Sequence, residues 1–118
     1  IGMQTCLFFL QKGFNVIGID NNSRRKFFGS QASINKNKKK LLESKNYQHY
    51  SFDILNKKKI EELFSKYRVK IKCVIHCAAQ PSHDWATKHI LTDYRINSLS
   101  TINLLKVFLI NIYQIFFI

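Results

Sequence analysis

The chain has 118 residues and a formal net charge of +12, with 19 lysine and arginine residues against seven acids. This length predicts one domain, or a piece of one, and excludes two domains of ordinary size. The three cysteines, Cys6, Cys73 and Cys77, lie in apolar segments without paired or C-x-x-C spacing. They favour buried thiols in a reducing compartment, the cytoplasm, over disulfides or a zinc site.

The first two predicted elements are a helix and a strand. Apolar spacing predicts a helix over residues 2–12, and Gly13 is the glycine that commonly ends a helix. Residues 15–20 are typical of a short buried strand with an acid, Asp20, at its carboxyl end. From local sequence, this acid has two interpretations: a turn-initiating carboxylate bound to the backbone two or three residues later, or a ligand-binding group.

The middle of the chain predicts a loop, a second strand and a second amphipathic helix. Residues 24–46 show no sustained period until residues 39–45, so we expect a long loop with one short helix. Residues 47–54 alternate and predict a strand. Asn56 is a suitable N-cap for a helix with one apolar stripe, formed by Ile60, Leu63, Phe64 and Tyr67.

The last part of the chain continues the alternation of helix and strand. Residues 71–77 predict a strand, residues 91–109 a helix, and residues 115–118 the beginning of another strand. Such alternation implies right-handed crossovers and an α/β fold with a doubly wound parallel sheet.

Positive charge is concentrated in two lysine clusters, at residues 36–40 and 57–59. A groove for single-stranded nucleic acid would interleave aromatic residues with the charges, whereas only Asn37 interrupts the first cluster. The lysine excess also accompanies a bias toward residues with AT-rich codons. A solvated basic face is the preferred interpretation, no nucleic-acid partner is predicted, and a basic nucleic-acid-binding module is kept as an alternative.

Two apolar stretches are too short to span a bilayer. Residues 7–10 form a short run, and residues 104–118 form a tail of 15 residues with one lysine, below the roughly 20 residues that a transmembrane helix needs. We see no transit or cleavable signal pattern. No membrane partner is predicted.

The segment after residues 71–77 holds the densest set of candidate site residues. Ala78 and Ala79 are small and permit close approach of a flat ligand. A polar loop follows and offers hydrogen bonds, a titratable group and a stacking face, from Gln80, Ser82, His83, Asp84 and Trp85. The pattern is typical of a binding crevice at the end of a parallel strand, and an apolar strand packed in a core explains the same composition.

Histidines give weaker signals. His83 and Asp84 are adjacent, so they are not predicted to face each other as a catalytic dyad, and loop capping is the alternative to a substrate contact. His49 and His76 lie in strand patterns and are interpreted as core residues. No His, Cys and acidic residues have metal-ligand spacing, and no metal site is predicted.

Three runs of sequence carry a resemblance to a known family. Residues 18–29 begin Gly-Ile-Asp-Asn-Asn-Ser, residues 74–86 contain Ala-Ala-Gln-Pro-Ser-His-Asp-Trp-Ala, and residues 97–105 read Asn-Ser-Leu-Ser-Thr-Ile-Asn-Leu-Leu. They resemble the NAD-dependent epimerase/dehydratase family, the extended short-chain dehydrogenases. The likeness extends over essentially the whole chain, and the run from Gln80 to Ala86 is typical of a narrow branch of that family.

This resemblance implies a Rossmann-like doubly wound parallel sheet that is incomplete, with the first strand and the C-terminal substrate domain missing. Residues 1–118 then form a partial NAD(P)-binding domain. The positions that match the family's cofactor-binding residues are Ile1, Gly2, Asp20, Asn21, Asn22, Ser23, Arg24, Asp53, Ile54, Cys77, Ala78, Ala79, Gln80 and Asn97. The positions on the substrate side are Ser82, His83, Asp84 and Trp85.

The resemblance also implies individual roles. Ile1 and Gly2 match the end of a glycine loop whose backbone N–H groups receive the pyrophosphate. Asp20 matches the acid that binds the adenosine ribose, and it favours NAD because a carboxylate repels the 2′-phosphate of NADP. Arg24 and Arg25 follow it and keep NADP as the alternative.

The implied chemistry is transient oxidation of a sugar-nucleotide carbon by NAD and return of hydride to the opposite face. The family's base is the tyrosine of a Tyr-x-x-x-Lys pair beside a Ser or Thr, and neither element is found in this chain. No catalytic residue is therefore predicted, the chain alone is expected to be inactive, and a truncated remnant without function is the alternative. The expected partner of the full-length enzyme is a nucleotide sugar, and a homo-oligomer is compatible with the family.

Overall fold

The computed structural model describes residues 1–80 and 82–112. The chain divides into two compact units, Ile1–Asp53 and Ile54–Ile118. The first unit contains a parallel sheet with helices, and the described part of the second unit is helical apart from its connecting segments, the longest being residues 71–80. This content confirms the predicted α/β fold class.

The first unit is a strand–crossover–strand arrangement preceded by a helix. Its elements are α1 (Gly2–Gln11), β1 (Val16–Ile19), α2 (Arg24–Phe28), a 3₁₀ turn (Ser30–Ala32), α3 (Asn35–Leu42) and β2 (Tyr47–Tyr50). The two strands pair in parallel, with Val16 opposite Tyr47 and Ile19 opposite Tyr50. Parallel strands need a helical crossover, which α2 and α3 supply here. The predicted first helix, first strand and parallel pairing are confirmed.

The loop predicted over residues 24–46 is more helical than expected. It contains α2 and the 3₁₀ turn, and α3 begins at Asn35 rather than near residue 39. The reason is that α3 buries a single residue, Leu41, so its lysine-rich sequence shows no apolar period. Similarly, β2 ends at Tyr50 rather than Ile54, because its ladder ends where β1 ends.

In the second unit, two amphipathic helices form the core. Its described elements are α4 (Lys57–Tyr67), a 3₁₀ turn (Arg68–Lys70), α5 (His83–Lys88), α6 (Ile90–Tyr94), a π-helix (Arg95–Leu99) and α7 (Ser100–Ile112). α4 packs against α7, and their buried residues are Ile60, Leu63, Phe64, Ser100, Leu104 and Val107. The predicted N-cap is confirmed, because Asn56 Oδ1 accepts a hydrogen bond from the Lys59 N–H at 3.1 Å.

The strand predicted over residues 71–77 is wrong for the described structure. Residues 71–80 have no regular secondary structure, and the sheet found among the described residues contains β1 and β2 alone. An apolar sequence favours extended backbone, but a strand also requires a neighbour for its ladder. Val74 and Ile75 are 39% and 47% exposed.

The expected burial of the cysteine thiols is wrong at two of three positions for the same reason. Cys73 and Cys77 lie on the unpaired segment and are exposed, whereas Cys6, on α1, is half-buried. None of these three cysteines forms a disulfide with another described residue.

Residues 83–112 differ from the single helix predicted over residues 91–109. The chain is already helical in α5, a segment interpreted as a polar loop, because Ser82 caps it: Ser82 Oγ accepts a hydrogen bond from the Trp85 N–H at 3.3 Å. The predicted helix is present but is divided by the π-helix Arg95–Leu99. The strand predicted at residues 115–118 lies outside the described residues.

Within residues 1–80 and 82–112, the structure contains no helix that is both long and apolar enough to cross a membrane.

Candidate functional site

The end of β1 carries a turn made by its own side chains. Asp20 Oδ1 accepts a hydrogen bond from the Asn22 N–H at 2.6 Å, and Asn21 Oδ1 accepts one from the Ser23 N–H at 2.9 Å. The turn-initiating interpretation of Asp20 is therefore confirmed. Asp20 is also exposed, and among the described residues its second oxygen, Oδ2, accepts no hydrogen bond. One carboxylate oxygen therefore orders the turn, and the other is left without a bond from the described residues.

Asn22 connects this turn to the start of α3. Its backbone has a positive φ of 57°, a conformation that asparagine adopts more readily than most residues. Its side-chain Oδ1 accepts a hydrogen bond from the Ile34 N–H at 2.9 Å, and Nδ2 donates to Ser33 Oγ at 3.2 Å. The loop after β1 is thus held by a side chain inside it, which sequence reasoning did not anticipate.

Asn21 and Asp53, both predicted cofactor-binding residues, are brought together by the fold. Asn21 Nδ2 donates to Asp53 Oδ2 at 2.8 Å. Because Asn21 follows β1 and Asp53 follows β2, this bond joins the carboxyl ends of the two parallel strands. Ile54, the neighbour predicted beside Asp53, is half-buried at the start of the second unit.

A shallow cavity of ≈ 400 Å³ lies beside the β1 turn and is lined by Asn21, Asn22, Arg25, Lys26 and Ser30. Two of these side chains are cationic, which suits an anionic or phosphate-bearing ligand. Arg24, the predicted arginine, instead places its guanidinium over the Phe28 ring at 5.2 Å. The cationic residues of this cavity are therefore Arg25 and Lys26, and Lys26 was missed by sequence reasoning.

A tyrosine packs across β1 immediately before this turn. A Cβ added to Gly18 would overlap the Tyr47 hydroxyl and lie 2.9 Å from Tyr47 Cζ, so the strand requires glycine at this position. The Tyr47 hydroxyl bonds His49 Nδ1 at 3.1 Å. Burial raises the pKa of Tyr47 to about 12, and nearby Cys6 and Asp20 act in the same direction. This phenol stays protonated at neutral pH and serves the packing of the strand.

Burial also determines the protonation state of His49. Burial lowers its pKa, Lys38 adds to that effect, and Asp20 opposes it. The neutral ring beside Tyr47 is therefore favoured, which agrees with the interpretation of His49 as a core histidine.

Ile1 and Gly2, matched to the end of a glycine loop, lie at the start of α1. Ile1 is 99% exposed, and its carbonyl accepts the Thr5 N–H at 3.1 Å. Their predicted contact with a pyrophosphate stays a prediction.

In the second unit, two predicted cofactor-binding residues form a reciprocal bridge. The backbone N–H of Gln80, which is 5% exposed, donates to Asn97 Oδ1 at 2.8 Å. Asn97 Nδ2 in turn donates to the Gln80 carbonyl at 3.4 Å. The residues before Gln80, Cys77 to Ala79, are exposed. The end of the segment 71–80 is thus fixed to the π-helix that contains Asn97. The small residues that precede Gln80 in this segment are exposed.

A second connection joins this segment to α7. His76 Nε2 lies 3.1 Å from Thr101 Oγ1, and the Thr101 hydroxyl donates to the Asn97 carbonyl at 2.8 Å. Because the hydroxyl proton is used there, His76 Nε2 must be the donor in the first bond. Desolvation lowers the pKa of His76, which favours the neutral ring. The interpretation of His76 as a core residue is wrong, because the residue is exposed; its ring instead bonds to a side chain of α7.

The four predicted substrate-side residues have separate surroundings. Ser82 caps α5 through its hydroxyl. The side chains of His83 and Asp84 are 93% and 98% exposed, and His83 Nδ1 lies 3.9 Å from Asp84 Oδ1. Trp85 stacks on His89, with ring centroids 4.0 Å apart. The first turn of α5 thus presents His83 and Asp84 to solvent, and their contact with a substrate stays a prediction.

Asp93 is the residue of this region that sequence reasoning missed. Its Oδ1 accepts hydrogen bonds from Asn97 Nδ2 at 2.9 Å and from Gln80 Nε2 at 3.4 Å. The available signal was its position four residues before Asn97, a spacing at which an acid and an amide meet on a helix. Among the described residues, no group of three His, Cys, Asp or Glu side chains could hold a metal ion.

Parallel strands joined by a helical crossover, with polar side chains where β1 ends, are typical of a Rossmann-like α/β protein. The sequence model of the GDP-mannose 4,6 dehydratase family matches residues 1–115. The chain therefore belongs to this family of nicotinamide-dependent epimerases and dehydratases.

The fold is also similar to a solved structure of UDP-glucose 4-epimerase. The likeness has a TM-score of 0.65 at 19% sequence identity and covers 91% of this chain and 28% of that chain. At this identity it shows the fold alone, and the chain spans less than a third of that enzyme's length. A sequence search of the curated proteins finds no match.

Proposed function

We propose that this chain is the dinucleotide-binding part of an NAD-dependent sugar-nucleotide epimerase of the CDP-paratose 2-epimerase kind. The observation that carries the proposal is the state of Asp20. Its Oδ1 is bound to the Asn22 N–H, and the residue is exposed at the carboxyl end of β1. A carboxylate at this place can accept hydrogen bonds from the two hydroxyls of an adenosine ribose.

The surrounding bonds favour a preorganised ribose site. Asn21 holds Asp53 at the end of β2, and Asn22 holds the loop at Ile34. A ligand that meets such a turn loses less conformational freedom on binding than one that must order it. The carboxylate acceptor of Asp20 and the ordered loop around it therefore fit the adenosine half of the cofactor.

The choice between NAD and NADP depends on two opposing features of the same loop. The Asp20 carboxylate repels a 2′-phosphate, which favours NAD. Arg25 and Lys26 line the neighbouring cavity and would attract that phosphate, which favours NADP. We propose NAD because the β1 end itself carries the acid.

In the second unit, Gln80 and Asn97 are proposed to lie on the nicotinamide side. Their reciprocal hydrogen bonds fix the backbone where the small, exposed residues Cys77, Ala78 and Ala79 end. When bound, NAD would accept a hydride from a sugar carbon and return it. The role proposed for these residues of the chain is to bind and orient the ring.

The sugar nucleotide is proposed to contact the first turn of α5. His83 and Asp84 are available for it because their side chains are almost fully exposed, whereas Ser82 is used as the cap. The run from Gln80 to Ala86 supports a CDP-linked sugar through its resemblance to the narrow branch described above. No residue of this chain is proposed as the catalytic base, and the chain alone is expected to turn over no CDP-sugar.

Asp20→Asn tests the proposal. This variant keeps the size of the side chain but removes the charge, and we expect it to weaken NAD binding about tenfold, since a hydrogen bond to a charged group contributes roughly 1.5–3 kcal/mol. Isothermal titration calorimetry on the full chain measures the dissociation constants for NAD and NADP. The matched control is Glu43→Gln, which removes an exposed acid of the same unit.

Three outcomes would contradict the proposal in different ways. Equal weakening by Glu43→Gln would assign the effect to net charge. Tighter binding of NADP than of NAD by the unaltered chain would replace NAD with NADP. Absence of binding of either dinucleotide, together with salt-dependent binding of single-stranded DNA, would favour the basic binding module.

A further inference from the structure

Asp93 is the acceptor at the centre of the polar network in the second unit. It lies on α6 and is half-buried. One of its oxygens, Oδ1, accepts hydrogen bonds from two different side-chain amides, those of Asn97 at 2.9 Å and Gln80 at 3.4 Å. Both amides belong to residues that the proposed function places beside the cofactor, and neither the family resemblance nor the sequence pattern assigned a role to Asp93.

The two amides have only one satisfactory orientation, because each has an oxygen that accepts and a nitrogen that donates. Asn97 Oδ1 accepts the Gln80 backbone N–H, so its NH₂ group must point away from that donor. Gln80 Oε1 accepts the Ser82 N–H, and one N–H of Gln80 Nε2 donates to the Ser82 carbonyl at 2.9 Å, which leaves the other N–H for Asp93 at 3.4 Å. Both NH₂ groups then point toward the Asp93 carboxylate. Rotating either amide by half a turn would place an oxygen against that carboxylate.

If the Asn97 amide lost this orientation, a buried residue would lose a hydrogen bond. Gln80 is 5% exposed, and its backbone N–H has Asn97 Oδ1 as its acceptor. A buried N–H without a partner is strongly unfavourable. By holding the Asn97 amide in place, Asp93 keeps that donor satisfied and keeps the end of the segment 71–80 fixed.

The helix around Asn97 is irregular. Residues Arg95–Leu99 form a π-helix, a feature that occurs in short turns and frequently at functional sites. Two consecutive hydroxyls bond to carbonyls four residues earlier, Ser100 to Ile96 and Thr101 to Asn97, an interaction that bends helices. The wide turn and the carboxylate therefore act on the same residue, Asn97.

We infer that Asp93 is a positioning residue whose carboxylate orients the side-chain amides of Gln80 and Asn97 and thereby fixes the end of the segment 71–80, which is proposed to contact the nicotinamide. The inference rests on the proposed function for its ligand. The orientation of the amides is a property of the chain itself and is tested without the ligand.

The experiment compares Asp93→Ala, Asp93→Asn and the control Glu62→Ala in the full chain. Glu62 is an exposed acid on α4, in the same unit, and has no place in the proposed site. Two readouts are taken: ¹H–¹⁵N NMR spectra of the side-chain amides with hydrogen exchange of the Gln80 backbone N–H, and the dissociation constant for NAD from calorimetry.

In Asp93→Ala, we expect the Asn97 and Gln80 side-chain amide signals to shift and the Gln80 N–H to exchange about tenfold faster. The NAD dissociation constant should rise about fivefold, since binding depends on a preformed site. Asp93→Asn keeps an acceptor oxygen at the same place, so exchange should return to within about threefold of the unaltered chain. This rescue separates orientation of the amides from the mere presence of a charge.

Unchanged amide signals and exchange in Asp93→Ala would overturn the inference, as would equal effects of Glu62→Ala. If Asp93→Ala loses its native spectrum, Asp93→Asn decides the question: native amide signals support the inference, and displaced ones in a folded chain contradict it. If the unaltered chain binds no NAD, the proposed function is wrong, while the exchange measurement still decides whether Asp93 orients the amides.

Discussion

Two chain segments end in polar networks, and they are ordered in different ways. The first, Val16–Ile19, is a strand paired in parallel with Tyr47–Tyr50, so its backbone is held before any side chain acts. The second, residues 71–80, makes no ladder within the described part of the chain and is held at its end by Gln80, Asn97 and Asp93. Order that depends on few side chains is easily lost. Two segments with similar apolar–polar sequence patterns are therefore held in place differently, one by backbone pairing and the other by side-chain hydrogen bonds.

The largest expected effect is a loss of stability when β1, the paired strand, is altered. Gly18→Ala places a methyl group against the Tyr47 hydroxyl and ring, and overpacking of this kind costs about 2–3 kcal/mol of unfolding free energy. Urea unfolding followed by circular dichroism measures it. Gly13→Ala is the control for the added methyl group: nothing lies near its added Cβ, and its φ of 82°, which Gly18 does not share, adds only about 1 kcal/mol of backbone strain.

The double variant Gly18→Ala with Tyr47→Phe sharpens this test. Removing the overlapping hydroxyl should recover part of the loss, which gives a coupling between the two changes. Purely additive effects, or a Gly18→Ala variant no less stable than Gly13→Ala, would show that the tyrosine does not constrain the strand.

A smaller effect is expected from removing the Asn22 side chain. Asn22→Gly keeps the positive φ but loses the hydrogen bonds to Ile34 and Ser33, so we expect faster exchange of the Ile34 N–H and a loss of about 1 kcal/mol. Asn22→Ala adds backbone strain and should be less stable than Asn22→Gly. In both variants the β1–β2 ladder should keep its protection, in contrast to the end at Gln80 when Asp93 is lost. Faster hydrogen exchange throughout the β1–β2 ladder in these variants would contradict the difference proposed between the two segments.

The smallest effect is a dependence of stability on pH. The pKa values of His49 and His76 lie below the usual 6.5, mainly because of desolvation. Each neutral ring therefore favours the folded chain above pH 6.5, and this stabilisation is lost as the pH falls through the lowered pKa. Unfolding free energies measured from pH 7.5 to pH 5 should fall in the unaltered chain. His49→Gln and His76→Gln should each flatten the profile, and a profile that neither variant changes would contradict this account.

Local patterns predicted much of the fold. The apolar stripe of α4, the Asn56 cap and the glycine after α1 depend on near neighbours, and all are confirmed. The start of α3 was missed because four lysines occupy a helix with one buried residue. The strand at residues 71–77 was wrong because strand formation depends on a partner far along the chain, which propensity does not supply.

In the candidate site too, features set by neighbouring residues were predicted and features set by distant residues were not. The turn at Asp20 depends on residues two positions apart and was foreseen as one of two interpretations. The bond between Asn21 and Asp53 spans 32 positions and was not predicted, although the family resemblance matched both residues to the same cofactor. The part played by Asp93 depends on where Gln80 lies relative to α6, and no periodic pattern encodes that relation.

The account's central claim is that this chain holds NAD through the end of β1. It is tested most directly by denaturing the purified full chain and identifying any released nucleotide by ultraviolet absorbance and mass spectrometry, after incubation with NAD and removal of free ligand. The account predicts release of NAD from the unaltered chain and from Glu43→Gln, and a clear loss from Asp20→Asn. Equal amounts from all three, or no nucleotide from any, would contradict it.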